Sequence, residues 1–154
     1  MTEQEIEKVV RACITKTPHM SLATVSDGKP WVCEVHFAYD DDLNLYFVSK
    51  QATRHCQEIA VNPHVAGNII KQHPLDEAPN GIYFEGEASA IAPTDEDIDR
   101  YISQLARDKA QLADWLQEPN GRRMYKITVS NWAVFGNFDG NGHAKYEFER
   151  RQVS

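Results

Sequence analysis

The residues best equipped for chemistry stand together in one segment, Ser49-Lys50-Gln51-Ala52-Thr53-Arg54-His55. It supplies two hydroxyls, two permanent cations and an imidazole that titrates near neutrality. It follows a strand-like run, Leu45-Tyr46-Phe47-Val48, and leads into a helix-like one from Thr53 to about Ala60. The first amides of a helix lack internal acceptors and lie at the positive end of its dipole. Hydroxyls and a guanidinium placed there suit a phosphate monoester. A plainer reading stands beside this one: Thr53 caps the helix, Arg54 pairs with Glu58 four residues on, and Lys50 is solvated.

Other reactive side chains are scattered. His19, His36, His55, His64, His73 and His143 include no i,i+4 pair and no Cys-x-x-Cys companion, so no metal site is expected. Cys13, Cys33 and Cys56 are odd in number and widely spaced, which argues against a disulfide framework. Cys33 and Cys56 read as small buried apolar residues. Trp31, Trp115 and Trp132 read as core or interface anchors. Arg122-Arg123 reads either as a solvated turn or as a grip on an anion. No Gly-x-Ser-x-Gly or dinucleotide-binding glycine pattern occurs.

The bulk composition narrows the class. The chain has 154 residues, 42% hydrophobic and 10% aromatic, with 16 Lys+Arg against 23 Asp+Glu for a net charge of −7. That length suits a single domain over residues 1–154 with a real core. Net acidity disfavours a nucleic-acid partner, because phosphate tracking needs clustered cations. No apolar run approaches the roughly 18 residues of a membrane span. Thr2-Glu3-Gln4-Glu5 has neither the basic start nor the apolar stretch of an export signal, so a cytoplasmic location is expected.

The elements that must position the segment are legible from periodicity. Ile6, Val9, Val10, Cys13 and Ile14 form a helical stripe over 3–16, opened by the Thr2/Glu5 capping-box spacing and closed by Thr17-Pro18. Strands are expected at 20–25 and 31–38 about an Asp27-Gly28 hairpin turn. A third, at 45–48 after Asp40-Asp41-Asp42, would complete a three-stranded meander. Further strands are expected at 65–70, 82–91, 124–129, 132–138 and 144–149, the last pair turning through Asp139-Gly140-Asn141-Gly142. One long helix is expected over 95–117, capped by Thr94 with Asp97 and stopped by Pro119-Asn120-Gly121. The fold class is therefore α+β, mainly β: a six- to seven-stranded antiparallel barrel with flanking helices.

The run from Met20 to Ile70 resembles the FMN-binding split barrel of the pyridoxamine 5'-phosphate oxidase family. The Asp27-Gly28 hairpin, Leu45–Ser49, Thr53-Arg54-His55 and Asn62-Pro63-His64-Val65-Ala66 carry the likeness, extended by Ile82–Ala88 with its glycine, Gly86. Thr-Arg-His with Val65-Ala66-Gly67 is closest to an uncharacterised bacterial branch. The resemblance implies that Thr53 and Arg54 hold the FMN phosphate, with Ser49 and Lys50 anchoring it. His55 falls where a lysine is usual. It puts Val48 and Ser49 beside the ribityl chain, and Glu34, Val35 and His36 on the strand bordering the isoalloxazine ring. It implies a homodimer with flavin sites at the interface and an oxidoreductase acting on a small molecule or a nicotinamide nucleotide. Three departures stand out: no basic residue on the Glu34–Ala38 strand, Gly81 where a glutamine is common, and no carboxy-terminal Arg/His signature. They argue against pyridoxamine phosphate as the substrate. They also leave open a non-catalytic flavin or heme sensor, a deazaflavin site, or a ligand-free dimeric barrel.

Overall fold

Helix α1 (Glu3–Lys16) opens on the expected capping box: Thr2 accepts from the Glu5 amide at 3.2 Å, and the Glu5 carboxylate accepts from the Thr2 amide at 2.7 Å. In this computed structural model residues 1–119 and 121–149 are described; Asn120, the centre of the proposed helix stop, lies outside the described residues. Strands β1 (His19–Ser26) and β2 (Lys29–His36) form a hairpin whose turn residues, Asp27 and Gly28, have φ of 52° and 72°. That is the geometry for which Asp-Gly is favoured in two-residue turns. A two-residue β3 (Ala38–Tyr39) and β4 (Leu45–Lys50) follow, then α2 (Arg54–Val61), β5 (His64–Ile70) and β6 (Gly81–Ile91). The chain continues with α3 (Asp95–Leu105), α4 (Lys109–Gln117), β7 (Arg122–Gly136) and β8 (Ala144–Glu149).

All strand pairs are antiparallel, in the order β2-β1-β5-β6-β7-β4-β3, with β8 beside the far half of β7. Leu22, Phe47, Ile69, Ile82, Ile127, Trp132 and Val134 fill the main core, and Ile6, Val10 and Ile14 bring α1 onto it. A smaller cluster of Tyr46, Tyr101, Leu112 and Met124 lies between β4, β7 and the α3–α4 pair. The expected mainly antiparallel split barrel with flanking helices is present.

Three local expectations change. The meander does not form, because β4 pairs with β3 and β7 and not with β2. The buried Phe37 separates β2 from β3, its amide donating to the Pro18 carbonyl at 3.0 Å. The helix expected over 95–117 breaks at Ala106, which is left-handed at φ 51°. Asp108 then caps a new helix by accepting from the Gln111 amide at 3.0 Å, a local competition that apolar periodicity does not register. The separate strands at 124–129 and 132–138 are one strand, β7. Glu85 pairs with Asn131 and Gly86 with Val129, so Ser130 is a bulge residue, its hydroxyl donating to the Glu85 carbonyl at 3.2 Å.

Gly86 sits opposite that bulge, where a Cβ would collide with the Thr128 carbonyl oxygen and lie 3.0 Å from the Val129 Cα. Backbone cannot yield as a flexible side chain does. Gly86→Ala is expected to cost about 1–3 kcal/mol of stability, measured by chemical denaturation at equilibrium, whereas an alanine at the unobstructed but left-handed Gly28 strains only its own turn.

Candidate functional site

The polar segment lies where β4 gives way to α2. Along β4, Phe47 and Ser49 share the core-facing side, while Tyr46 and Val48 face the α3–α4 cluster. Ser49 therefore meets α2: its Oγ is 2.9 Å from Nε2 of His55, and that nitrogen is 3.4 Å from the Thr53 hydroxyl. His55 is buried beside Phe47, with ring centroids 6.1 Å apart, and burial lowers its pKa below the usual 6.5. The imidazole is neutral at pH 7 in the free protein.

Thr53 occupies the cap position of α2 without capping it. Its hydroxyl and its amide both donate to the Lys50 carbonyl, at 2.8 and 3.1 Å. The amides of Arg54, His55 and Cys56 consequently have no acceptor among the described residues. Thr2, Thr94 and Asp108 each cap their own helices with a side-chain oxygen. The start of α2 thus offers open donors next to two hydroxyls and an imidazole, an arrangement that can receive an anion.

Two guanidinium groups flank this cluster. Arg54 donates Nε to Glu58 Oε1 at 2.9 Å and lies over the Trp31 ring, 4.2 Å from its centroid. Glu58 is buried and its second oxygen has no partner, so Arg54 neutralises a carboxylate as well as facing solvent. The expected i,i+4 pairing is real, and it leaves the two Nη groups uncommitted among the described residues. Arg123 pairs directly with Ser49 across β4 and β7, on the same face as Tyr125, which stacks on Phe47 at 5.0 Å. Arg123 is exposed and has no ion pair among the described residues.

The remaining site candidates lie apart from this group. Lys50 is exposed on the Val48 face. On β2, Val35 is buried while Glu34 and His36 are exposed. Glu34 is held by Ser21 and by His19, 3.2 Å away, so its charge is directed onto β1. Desolvation, Arg107 and His19 lower the pKa of His36.

Sequence reasoning did not place Trp31 in the site, and it left Arg123 open between a solvated turn and a grip on an anion. The first becomes visible only through its stack with Arg54, the second only through the β4–β7 register. Trp132 is fully buried in the core, and Phe135 stacks on Tyr83 at 4.4 Å, away from this group. Cys56 is buried and hydrogen-bonded to Tyr125, and burial pushes the Cys33 thiol up to about 11. The Cys33 thiol is therefore not primed as a nucleophile. Among the described residues no cluster of His, Cys, Asp or Glu is arranged to hold a metal, and no helix is long and apolar enough to cross a membrane.

Comparison with known proteins agrees with this architecture. The pyridoxamine 5'-phosphate oxidase family model matches residues 6–135. The chain is 27% identical over 130 residues to the pyridoxine/pyridoxamine 5'-phosphate oxidase of Yersinia pestis, covering 79% of this chain and 57% of that one. It thus spans little more than half the length of the curated relatives it matches. Among solved structures, a heme binding protein from Mycobacterium smegmatis superposes with a TM-score of 0.73 at 15% identity, over 97% of this chain and 58% of that one. An FAD-binding protein from Mesorhizobium loti does so with a TM-score of 0.64 at 21% identity, over 86% and 90%. At those identities the likeness is one of fold, and it is the match across residues 6–135 that decides the assignment: this chain belongs to the pyridoxamine 5'-phosphate oxidase family.

Proposed function

We propose that the chain binds FMN at the β4–α2 junction and acts as a flavin-dependent oxidoreductase on a small molecule or a nicotinamide nucleotide. The observation that carries this reading is the set of three open amides at the start of α2, beside Ser49, Thr53 and His55 and between Arg54 and Arg123. A phosphate monoester supplies the acceptors these donors lack. Thr53 can turn its hydroxyl from the Lys50 carbonyl to the ligand, and Arg54 can offer its Nη groups while Nε stays on Glu58. Lys50 adds a longer-range cation. When bound, FMN supplies the hydride and electron-pair chemistry, so the chain need only hold and orient it.

The ring would lie along the β2 backbone from Glu34 to His36. Diversion of Glu34 to His19 and Ser21 removes a charge that would oppose an electron-rich ring. β2 is an end strand that exposes Trp31 and Val32, at 42% and 60%. An apolar edge of this kind supports pairing with a second copy, which would complete the ring site. The three free cysteines suit a reducing compartment such as the cytoplasm. A second reading, a non-catalytic flavin or heme carrier, is favoured by the absence of a lysine or arginine from Glu34 to Ala38.

Untreated protein is expected to show flavin absorbance, and apo-protein to quench added FMN fluorescence. Arg54→Ala or Arg123→Ala should weaken FMN binding by about 1.5–3 kcal/mol, the worth of a charged hydrogen bond. Denaturation of Arg54→Ala separates loss of affinity from loss of the Glu58 pair. Colourless protein with no quenching overturns the reading, and bound flavin that neither NADH nor NADPH reduces favours the carrier.

His55 gives the binding a pH signature. Its pKa is depressed in the free protein, and a neighbouring dianion raises it, so binding takes up protons and tightens as pH falls from 8 towards 6.5. Calorimetry at pH 7 in buffers of different ionisation enthalpy should detect this uptake and its loss in His55→Gln. Val32→Glu should shift the light-scattering mass from dimer towards monomer.

A further inference from the structure

The far end of β7 carries a second concave site, on the opposite flank from the α2 cradle. Ser49 pairs with Arg123 at the start of β7, whereas Phe135 and Gly136 end the strand beneath α1. A pocket of about 300 Å³ opens there between α1, the β5 and β6 ends and the β7–β8 turn. That volume is at the lower limit for small-molecule sites. Val9, Phe135 and Phe138 give it an apolar wall, and Cys13 forms part of the lining on α1.

The charged groups lining it are both cations. Lys16 and Lys71 both line the pocket, and neither has a carboxylate partner among the described residues, unlike Lys109 and Lys145, which are ion-paired. Lys71 is close enough to Cys13 to act against the burial that pushes this thiol up to about 11. The Asn80 side chain, also lining the pocket, makes no hydrogen bond among the described residues. Two unpaired ammonium groups and a free amide beside an apolar wall are complementary to a single anionic head on an apolar body.

We infer that this pocket binds a small monocarboxylate with an aromatic or branched aliphatic body, its carboxylate held by Lys16 and Lys71 and its body against Val9, Phe135 and Phe138. The site shares no residue with the α2 cradle and stands whether or not the chain binds FMN. Cys13, with its thiol protonated, contributes packing and no chemistry.

The test uses 2-naphthoate and its uncharged analogue 2-naphthamide as probes, titrated into the full chain and followed by amide NMR shifts. Saturable shifts are expected at Cys13, Lys71, Gly81 and Gly136, with 2-naphthamide at least about tenfold weaker. Lys16→Gln combined with Lys71→Gln, both exposed, should reduce naphthoate affinity by a similar factor, and FMN should not displace the probe. The inference is overturned by unsaturable shifts, by equal affinity for the amide, by an unaffected double variant, or by shifts that map instead to residues 49–56.

Discussion

The amides that begin α2 are left without acceptors among the described residues, and the surrounding structure is organised around that unmet capacity. Each of the three other helices caps one first-turn amide with its own Thr2, Thr94 or Asp108 oxygen. In α2 the equivalent residue, Thr53, spends its hydroxyl on the Lys50 carbonyl three residues back. Open donors at a helix start are tolerated where solvent or a ligand can reach them. Here they are joined by an imidazole that burial keeps uncharged and by two serine/threonine hydroxyls within hydrogen-bond reach of it. The result is a rim of donors with no acceptor among the described residues.

Holding that rim in place requires burying charge, and Arg54 manages both tasks. Glu58 lies inside with one oxygen unpartnered, so its carboxylate is acceptable only because Arg54 sits four residues earlier on the same helix face. Trp31 of β2 covers the flat side of the guanidinium at 4.2 Å. The cation is thereby fixed in direction by a strand and in charge by a helix, and a lysine could reproduce neither the stack nor the fork. This links the phosphate end of the site to the very strand along which a flavin ring would lie. A change in β2 is therefore felt at Arg54 without any movement of α2.

Much of this was legible before any coordinates, and the portions that were not share a cause. The capping boxes at Thr2 and Thr94, the Asp27-Gly28 turn and the strand–turn–helix at Ser49–His55 are written in local chemistry, where side chain and backbone interact within three or four residues. The helix break at Ala106 is also local, yet its signal, Asp108, looks like any acidic surface residue of a longer helix. The continuity of β7 through Ser130-Asn131 was hidden because polar turn-formers there make a bulge against Gly86, a fact of pairing and not of propensity. Arg123 and Trp31 entered the site through cross-strand register and through packing between elements far apart in sequence. No single-chain spacing encodes such neighbours.

The two ends of the proposed flavin site are specified to different degrees, and the difference bears on what the protein can do. The phosphate end rests on backbone amides and on β4, which is paired on both sides by β3 and β7. The ring end rests on β2, paired on one side only, with Trp31 and Val32 exposed and Val35 buried. A ligand gripped firmly by its tail and bordered loosely at its ring takes its redox environment from whatever completes that edge. The departure at Glu34 falls in this loosely specified half, while Ser49, Thr53 and Arg54 retain the donors that a phosphate requires. In the proposed site, then, binding of the nucleotide tail and selection of the chemistry at the ring would be separable, because they would depend on different strands and on hydrogen bonds of different origin.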